Sequence, residues 1–512
     1  MNRPAEAGVA AAERGYPDLH EHLEELKKRG LLLEITRPVD KDAELHPLVR
    51  WQFVGGMDEA ERKAFLFTNI VDGLGRKYDI PVVVGAIAAN RAIYSVGMGA
   101  PLSEIQAKWD GAIARPIPPR EIERAPCHEV VHQGKDLQGE GKGLDRLPIP
   151  ISTPGFDSAP TLTATNVITR DPETGVQNMG TYRAALKSPD RLVVRMATRV
   201  GGAGGYLHYV KYQKLGKKTM PCAIVLGCPP YVAFMGPQKL PIGVDEFTVA
   251  GGLAGSPINV VKARTVDLLV PAESEIVIEG FIDTEYCEPE APFGESHGHV
   301  ALEEYNMPMR VTAITHRKNP VIPSYISQVA PSESSVIKRV AYEPLFLSHL
   351  REALGIRGVK RVSLHEPLTG LLRVTVIGCE KGMPRTEVWR ALRGAAFFKA
   401  DMGKITIAIT DDIDLDRSQD THGKAGGCGR RGERAGPGVS LSQQLLRDRR
   451  DEPSRRSDPH PAPRGGGCVE KDRRGPSRLR ASPRFRTSGE RPDAMACGKR
   501  RPGRDRGALH PL

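Results

Sequence analysis

Short apolar runs separated by turn residues fill the middle of this chain, and they restrict its fold more than any other feature. Between residues 125 and 325 the runs are bounded by Gly, Pro or Asp. Runs of this kind, with little helical periodicity between them, are typical of antiparallel sheets. The clearest of them are at 222–226, 258–262, 266–270, 275–281 and 309–315. The pattern predicts an antiparallel barrel or sandwich.

The segment before this centre predicts a small α/β domain. Asp18 can cap a helix, Glu21 stands three residues further on, and Gly30 ends the apolar periodicity. The apolar face of this helix consists of Leu19, Leu23 and Leu26. Apolar runs at 31–35 and 81–87 predict strands, and the Pro-rich stretch near residue 117 is a stiff connector.

After Ser332 the periodicity becomes helical again. Strands are predicted at 371–377 and 404–410, on either side of a helix. The apolar residues of that helix are Val388, Trp389, Leu392, Ala396 and Phe397. We therefore predict an α+β, multidomain fold. Its parts are an N-terminal α/β domain (17–120), a central β domain (121–330), a C-terminal α/β domain (331–416) and a tail (417–512).

The tail differs sharply from the rest of the chain in charge. From residue 421 onward there are 23 Lys and Arg against 10 Asp and Glu, a net charge of +13, which leaves −2 for residues 1–420. The default interpretation is a disordered Arg-rich tail. A basic nucleic-acid arm would need aromatic residues for stacking, and Phe485 is alone there. A shifted reading frame is the third interpretation, and we favour it slightly.

The remaining composition excludes several classes of protein. The near-neutral body gives no support for nucleic-acid binding. No apolar stretch approaches the roughly 18 residues of a membrane span, and the first residues lack the apolar core of a signal peptide. Five cysteines precede the tail and none forms a CxxC pair. This scatter suits a reducing compartment, so a cytoplasmic protein is expected.

A pair of carboxylates follows the run at 275–281. Glu290 and Glu295 stand five residues apart on a loop where Pro289, Pro292 and Gly294 disfavour a helix. Such acids can shift each other's proton affinity and divide the roles of acid and base. The alternative is a surface loop whose acids are merely solvated. The loop is therefore a candidate acid–base site.

Residues 178–183 form a second informative segment. Arg183, at the exit of a tight turn, offers a planar clamp for a carboxylate or a phosphate. A further irregular loop, at 235–240, is followed by the carboxylate of Glu246. Each feature alone is weak. Together, an Asn, an Arg and three Glu on successive loops are hard to explain as surface, and we expect them to share a site.

Four further motifs carry weaker signals. The Gly-rich run at 201–205 lacks the Lys-Ser/Thr of a Walker loop and favours a flexible turn. The HxH pair at 20–22 lies on a charged helix face and favours solvation, whereas the pair at 297–299 adjoins the acids and could bind a metal. His208 is as easily a structural histidine as a ligand. The acidic residues at 411–414 favour a strand-end loop over a cation site.

In their order along the chain, these segments resemble the signature loops of the UbiD family of prenylated-flavin-dependent decarboxylases. The resemblance rests on the helix and strand at 18–32, residues 178–183, the Gly-Val-Asp-Glu-Phe motif at 243–247 and the loop at 289–298. It covers roughly residues 17–415. It implies that the central domain is a split β-barrel like that of flavin reductases, and that the protein is a homodimer or larger homo-oligomer.

The resemblance also implies roles for single residues. Arg183, Glu290 and Glu295 match a Glu-Arg-Glu network. In that family prenylated FMN adds across an aromatic or α,β-unsaturated carboxylic acid, CO2 is lost, and the residue matching Glu295 protonates the product. Asn178 and Glu246 match ligands of Mn2+ or Mg2+, which K+ accompanies. The residues implied to contact the cofactor are Gly180, Thr181, Tyr182, Arg183, Gln238, Glu246 and Lys404.

Two departures from the family pattern stand out. The family's third metal ligand is a histidine, but residues 198–202 read Thr-Arg-Val-Gly-Gly at that place, and His208 is the substitute that remains. Family chains also continue with a helix where this chain enters its Arg-rich tail, so the C-terminal domain is predicted to be incomplete. The resemblance implies a reversible carboxy-lyase supplied by a separate flavin prenyltransferase. The alternative hypothesis is an inactive flavin-binding subunit of a carboxylase complex.

Overall fold

The computed structural model of the chain describes residues 14–196, 203–238, 240, 243–295, 300–301, 304–326, 328–365, 374–398 and 405–413. All of them belong to the first of two structural units, residues 1–450. The predictions for the tail and for Lys404 fall outside the described residues, as does the His pair at 297–299. No described helix is long and apolar enough to cross a membrane.

The main described elements are α-helices and β-strands, with the longest runs of consecutive strands in the centre of the chain. The α-helices are α1 Leu19–Lys28, α2 Leu45–Val54, α3 Arg91–Met98, α4 Ile105–Ala114, α5 Gly204–Lys214, α6 Pro230–Ala233, α7 Glu246–Ala254, α8 Glu333–Ser348 and α9 Arg385–Phe398. The strands are β1 Leu32–Ile35, β2 Val39–Asp40, β3 Ala64–Phe67, β4 Ile70–Val71, β5 Lys77–Tyr78, β6 Val82–Val84, β7 Arg120–Glu121, β8 Val130–Gln133, β9 Thr161–Leu162, β10 Thr165–Arg170, β11 Gln177–Gly180, β12 Ala184–Ser188, β13 Arg191–Val194, β14 Thr219–Leu226, β15 Asn259–Lys262, β16 Leu269–Pro271, β17 Ile276–Asp283, β18 Glu288–Pro289, β19 Phe293–Gly294, β20 Val300–Ala301, β21 Tyr305–His316, β22 Ile322–Ser324, β23 Val359–His365, β24 Val374–Cys379 and β25 Ile405–Thr410.

Helix α1 begins as its sequence predicts. The Asp18 carboxylate accepts the Glu21 N–H at 3.0 Å, and the Glu21 carboxylate accepts the Asp18 N–H at 2.9 Å, which completes a capping box. The three predicted leucines are buried. The prediction of a solvated HxH pair is wrong for His22, which is 2% exposed and lies 2.7 Å from the Ala86 carbonyl. The packing of α1 against α3 buries that position, and burial lowers the pKa of His22.

The N-terminal sheet includes one strand from much later in the chain. Its order is β1-β3-β6-β22. Strand β22 pairs with β6 in parallel, from Ile322↔Val82 to Ser324↔Val84. The chain therefore returns to its first sheet after completing the central one. The domain boundaries at 120 and 330 remain predictions, because the two regions share this sheet.

The central sheet contains ten strands, and every pairing in it is antiparallel. Its main path runs β11-β10-β14-β17-β21-β13-β12-β9. The antiparallel prediction is confirmed, but among the described residues this path is open and no closed barrel is found. At the β11 edge the Met179 N–H donates to the Glu246 carboxylate at 3.0 Å. A side chain rather than another strand therefore satisfies this backbone group.

The centre also contains helices that its sequence hides. Helix α5 begins at Gly204, so the predicted flexible turn does not extend to Gly204 and Gly205, and α7 contains Gly251 and Gly252. Glycines lower helix propensity, which conceals both helices from pattern analysis. Glycine is required at position 251 because a Cβ there would lie 2.4 Å from the Ile117 carbonyl oxygen. Close packing of α7 on the N-terminal region therefore explains the glycine.

The segment after α8 contains the predicted βαβ unit. Its sheet order is β23-β24-β25, with β24 and β25 parallel and joined through α9. The face of α9 that packs inward differs from the prediction in part. Leu392 is buried, but Trp389 is 37% and Phe397 is 88% exposed.

The start of α8 is tied to the N-terminal region by a buried acid. Glu333 is fully buried, and its carboxylate accepts the N–H groups of Gly85, Ile87 and Ala88 at 3.2–3.3 Å. Burial raises the pKa of Glu333 to about 7, and the three N–H groups oppose this only in part.

A pH dependence of stability follows from Glu333. Its folded pKa exceeds the unfolded value, so the folded state binds the extra proton and stability falls as pH rises from 5 to 8. The Glu333→Gln variant cannot ionise, and its stability relative to the wild type should improve by about 2 kcal/mol over that interval. Urea unfolding at both pH values measures this, with exposed Glu34→Gln as control. Parallel curves for the wild type and Glu333→Gln would contradict the prediction.

Candidate active site

The predicted acid loop is held to the central sheet by short strands. Strand β18 pairs with β21 at Glu288↔Asn306 and Pro289↔Tyr305, and β19 pairs with β20. The described part of this loop, residues 289–295, contains no helix, as its prolines predict. The backbone that carries Glu290 and Glu295 is therefore held by strand pairing and is not a solvated surface loop.

Arg183 joins both acids in one cluster. Its Nε and Nη2 donate to the two oxygens of Glu290 at 2.7 and 3.0 Å, and its Nη1 donates to Glu295 Oε1 at 2.6 Å. The side chains of Glu290, Arg183 and Glu295 are 1%, 10% and 18% exposed. The guanidinium carbon also lies 4.2 Å from the centre of the Phe293 ring. The Glu-Arg-Glu arrangement implied by the resemblance is thus a buried network with one more accessible acid.

The charges in this cluster support one another. Burial acts to lower the pKa of the Arg183 guanidinium, but its bonds to Glu290 and the charges of both acids outweigh burial and raise it. The guanidinium therefore stays charged. A bidentate pair of this kind holds Glu290 in one orientation.

Two residues that the sequence did not reveal hold the acids in place. Asn306 Nδ2 donates to Glu290 Oε2 at 3.1 Å. Asp157 accepts the Gly294 N–H at 2.7 Å and the Thr153 N–H at 2.8 Å, and thereby fixes the backbone next to Glu295. Asn306 lies on β21 and Asp157 on a distant loop, so no local pattern marks either one.

A second polar group contains Asn178, five residues before Arg183. Five residues of extended chain span at most about 18 Å, which limits the distance between the two groups. Asn178 lies on β11, and the Glu246 carboxylate reaches the next residue of that strand, where it accepts the Met179 N–H. Asn178 Nδ2 lies 3.4 Å from the Tyr182 hydroxyl, which also accepts the Gly205 N–H at 3.3 Å. Burial raises the pKa of Glu246 to about 7. The structure therefore brings the implied metal ligands Asn178 and Glu246 into one region.

His208 lies above the same face of the sheet. Its Nδ1 is 2.9 Å from Thr169 Oγ1, and Thr169 is the cross-strand partner of Asn178. Burial lowers the pKa of His208 to about 4, so its imidazole is neutral near pH 7. Within the described ranges no three His, Cys, Asp or Glu side chains form a metal cluster, and residues 197–202 lie outside them. The metal assignment stays a prediction, although amide and carboxylate oxygens are the donors that a hard divalent cation prefers.

Three of the remaining implied cofactor residues, Gly180, Thr181 and Tyr182, lie at the end of β11 and in the turn to β12. Thr181 donates its N–H to the Gly236 carbonyl at 3.1 Å, and its buried Oγ1 has no hydrogen-bond partner in the described structure. A Cβ on Gly236 would lie 2.3 Å from that Oγ1, so glycine leaves the hydroxyl open. Gly180 packs against the Tyr182 ring, where a Cβ would come within 2.3 Å. Gln238 lies in the same turn as Gly236, with its N–H bonded to the Met235 carbonyl at 3.1 Å.

These observations fit an enzyme with acid–base side chains beside a cofactor cradle. A phosphate and a bound cation would supply partners for three groups. These are the unpartnered Thr181 hydroxyl, the Glu246 carboxylate, which has no cation beside it among the described residues, and the neutral imidazole of His208.

Two family models match consecutive parts of the chain. The 3-octaprenyl-4-hydroxybenzoate carboxy-lyase N-terminal domain matches residues 23–109, and the Rift-related domain of the same enzyme matches residues 120–329. Together they cover more than half of the chain. The chain belongs to the UbiD family, whose members are carboxy-lyases.

Individual relatives agree with this assignment. An uncharacterized protein of Synechocystis is 31% identical over 358 residues, which are 65% of this chain and 67% of the relative. The UbiD-class enzyme HmfF of Pelotomaculum thermopropionicum, solved in complex with prFMN, is 28% identical with a TM-score of 0.68, over 79% of this chain and 88% of HmfF. The vanillic acid decarboxylase of Sedimentibacter hydroxybenzoicus, at 23% identity and a TM-score of 0.66 over 79% and 83% of the two chains, shares the fold.

Proposed function

We propose that this chain binds prenylated FMN and catalyses the reversible, non-oxidative decarboxylation of an aromatic or α,β-unsaturated carboxylic acid. The observation that carries the proposal is the Arg183 guanidinium, which holds Glu290 and the more exposed Glu295 at hydrogen-bond distance. The structure of HmfF with prFMN supports the choice of cofactor. The proposal includes the flavin-reductase-like assignment of the central domain.

The residues of the chain divide into two groups in this proposal. Thr181 and the open space at Gly236 would receive the cofactor phosphate, and Asn178 and Glu246 would hold Mn2+ or Mg2+, with K+ nearby. His208 is the third candidate ligand. When bound, prenylated FMN would supply the electron sink that decarboxylation of such acids requires.

The side chains of the acid cluster would carry the proton chemistry. Arg183 is charged and would orient the substrate carboxylate. Loss of CO2 leaves an electron pair on carbon that must take up a proton. In the proposal, protonated Glu295 would donate that proton and then recover one from solvent. Glu290, the least exposed of the three, would keep the guanidinium in place, because Arg183 and Asn306 bind its two oxygens.

Other parts of the proposal concern partners and location. A separate flavin prenyltransferase would supply the cofactor, and the working form would be a homodimer or larger homo-oligomer in the cytoplasm. No role for nucleic acid is proposed, since the body of the chain is close to neutral.

Anaerobic co-expression with a flavin prenyltransferase tests the proposal directly. Mass spectrometry of the released flavin should show prenylated FMN, and CO2 release should be detected with a panel of aromatic and unsaturated acids. Folded protein without flavin would refute the proposed cofactor. Flavin without turnover across the panel would favour a non-catalytic flavin-binding subunit instead.

Gly236→Ala tests the cofactor cradle. The new methyl group would lie 2.3 Å from Thr181 Oγ1 and 3.1 Å from Asn166 Nδ2, so it should fill the space beside the unpartnered hydroxyl. We expect flavin affinity to fall about tenfold, as for other overpacked sites. Gly111→Ala is the matched control, because its Cβ would meet nothing closer than 3.9 Å. Equal flavin occupancy in the two variants would place the cofactor elsewhere.

A further inference from the structure

A second arginine faces the acid cluster from the neighbouring strand. Arg195 directly follows β13, and its N–H donates to the Arg183 carbonyl at 2.9 Å. This bond extends the β12–β13 register by one pair and sets the two arginines opposite each other. Like charges in directly opposite positions destabilise a sheet unless acids compensate them. The surrounding carboxylates therefore compensate the charges of the two arginines. A function in the acid cluster would explain why a second arginine stands there.

Arg195 reaches three of those carboxylates. Its Nη2 and Nε lie 2.8 and 3.1 Å from Glu304 Oε2. Its Nη2 is 3.9 Å from Glu295 Oε1, and its Nε is 3.8 Å from Glu290 Oε2. The Glu304 side chain is 51% exposed and that of Arg195 is 22% exposed, so the contact with Glu304 is the one most open to water. A shift of about 1 Å would bring Arg195 from Glu304 into direct contact with Glu295.

Arg183 divides its hydrogen bonds between the two acids. It already donates one N–H from each of its three nitrogens to Glu290 or Glu295. The bond to Glu295 is the single one, and Glu295 is the more exposed acid. Each Nη atom of Arg183 carries a second N–H that can bind a substrate carboxylate. A carboxylate bound there would share the charge of Arg183 with Glu295, and Arg195 is a second cation close to Glu295.

The geometry points to Arg195 as the positioning residue for Glu295. Without substrate, Glu304 binds Arg195; when Arg183 binds the substrate carboxylate, Arg195 moves to Glu295. This inference rests on the proposed function, because it assumes that Glu295 is the proton donor. Arg195 acts through Glu295 and does not itself touch the substrate. The backbone carbonyl of Glu304 also accepts the Glu290 N–H at 2.8 Å. Glu304 therefore contacts both the acid loop and Arg195.

The charged groups around Glu295 determine the direction in which its pKa should shift in each variant. Arg183 and Arg195 favour its anion, whereas Glu290, Glu304 and Asp157 oppose it. Losing Arg195 should therefore raise the pKa at which Glu295 gives up its proton. Losing the Glu304 charge should lower that pKa, both by removing a negative charge and by freeing Arg195.

The pH profile of kcat/KM in the flavin-loaded enzyme measures these shifts. Activity needs protonated Glu295, so the basic limb should move upward by about one pH unit in Arg195→Gln and downward in Glu304→Gln. Arg195→Lys should restore most of the wild-type profile. The control is Arg191→Gln, four residues earlier on β13, where the arginine pairs with Glu288. Equal profiles for Arg195→Gln and Arg191→Gln would overturn the inference.

A second measurement needs no cofactor and separates this inference from the proposed function. The thermal midpoint of the flavin-free protein at pH 8 should fall in Arg195→Gln, and this loss should shrink when Glu295→Gln is already present. The loss caused by Arg191→Gln should be the same in both backgrounds. Additive losses for Arg195 and Glu295 would refute the contact even if the enzyme proves active. Coupling in a protein without activity would refute the proposed function alone.

Discussion

Glu295→Gln is expected to lower the rate of CO2 release by about 10²–10⁴-fold, the usual contribution of a general acid. The amide keeps the shape of the side chain and can still accept the Arg183 Nη1 hydrogen bond seen at 2.6 Å. It cannot donate the proton that the product carbon requires. Turnover of a verified substrate by the flavin-loaded variant is the measurement, with flavin content checked by mass spectrometry.

A matched control makes the Glu295 result specific. Glu285 is an acid two residues after β17, 59% exposed and 3.5 Å from Lys218. Glu285→Gln should leave turnover unchanged. If Glu295→Gln retained wild-type CO2 release with full flavin content, another group would have to deliver the proton and the assignment would fail.

Glu290→Gln is expected to cost about 3 kcal/mol of unfolding free energy, at the lower end of the range for breaking a buried ion pair. Glu290 is 1% exposed and binds Arg183 through both oxygens. Its replacement leaves the guanidinium buried with Glu295 as the remaining partner, so part of the charge stays compensated. Urea unfolding of the flavin-free protein measures the loss.

The helix pair Glu25 and Arg29 provides the comparison. Their atoms also lie 2.7 Å apart, but the side chains are 40% and 57% exposed. Water solvates both charges there, so Glu25→Gln should have no measurable effect on unfolding. A similar loss in the two variants would mean that burial does not set the strength of the Arg183–Glu290 pair.

Local structure was largely predictable because its causes are local. The capping box of Asp18 and Glu21 and the βαβ unit of the C-terminal domain agree with their patterns. The helix starting at Gly204 was not predicted, because a glycine required by close packing looks like a turn residue in the sequence. Propensity fails where tertiary contacts decide the residue type.

The sequence by itself determined the chemical inventory of the site, an arginine and two acids on loops between strands, because residue types and turn signals can be seen locally. The tertiary structure decided how that inventory is used. It placed Glu290 and Arg183, 107 residues apart, in a bidentate pair. It also set Arg195 opposite Arg183 through the register of the β12–β13 pair and brought Asn306 to Glu290. Strand register and long-range pairing depend on the packing of the whole sheet, so no window of the sequence contains them.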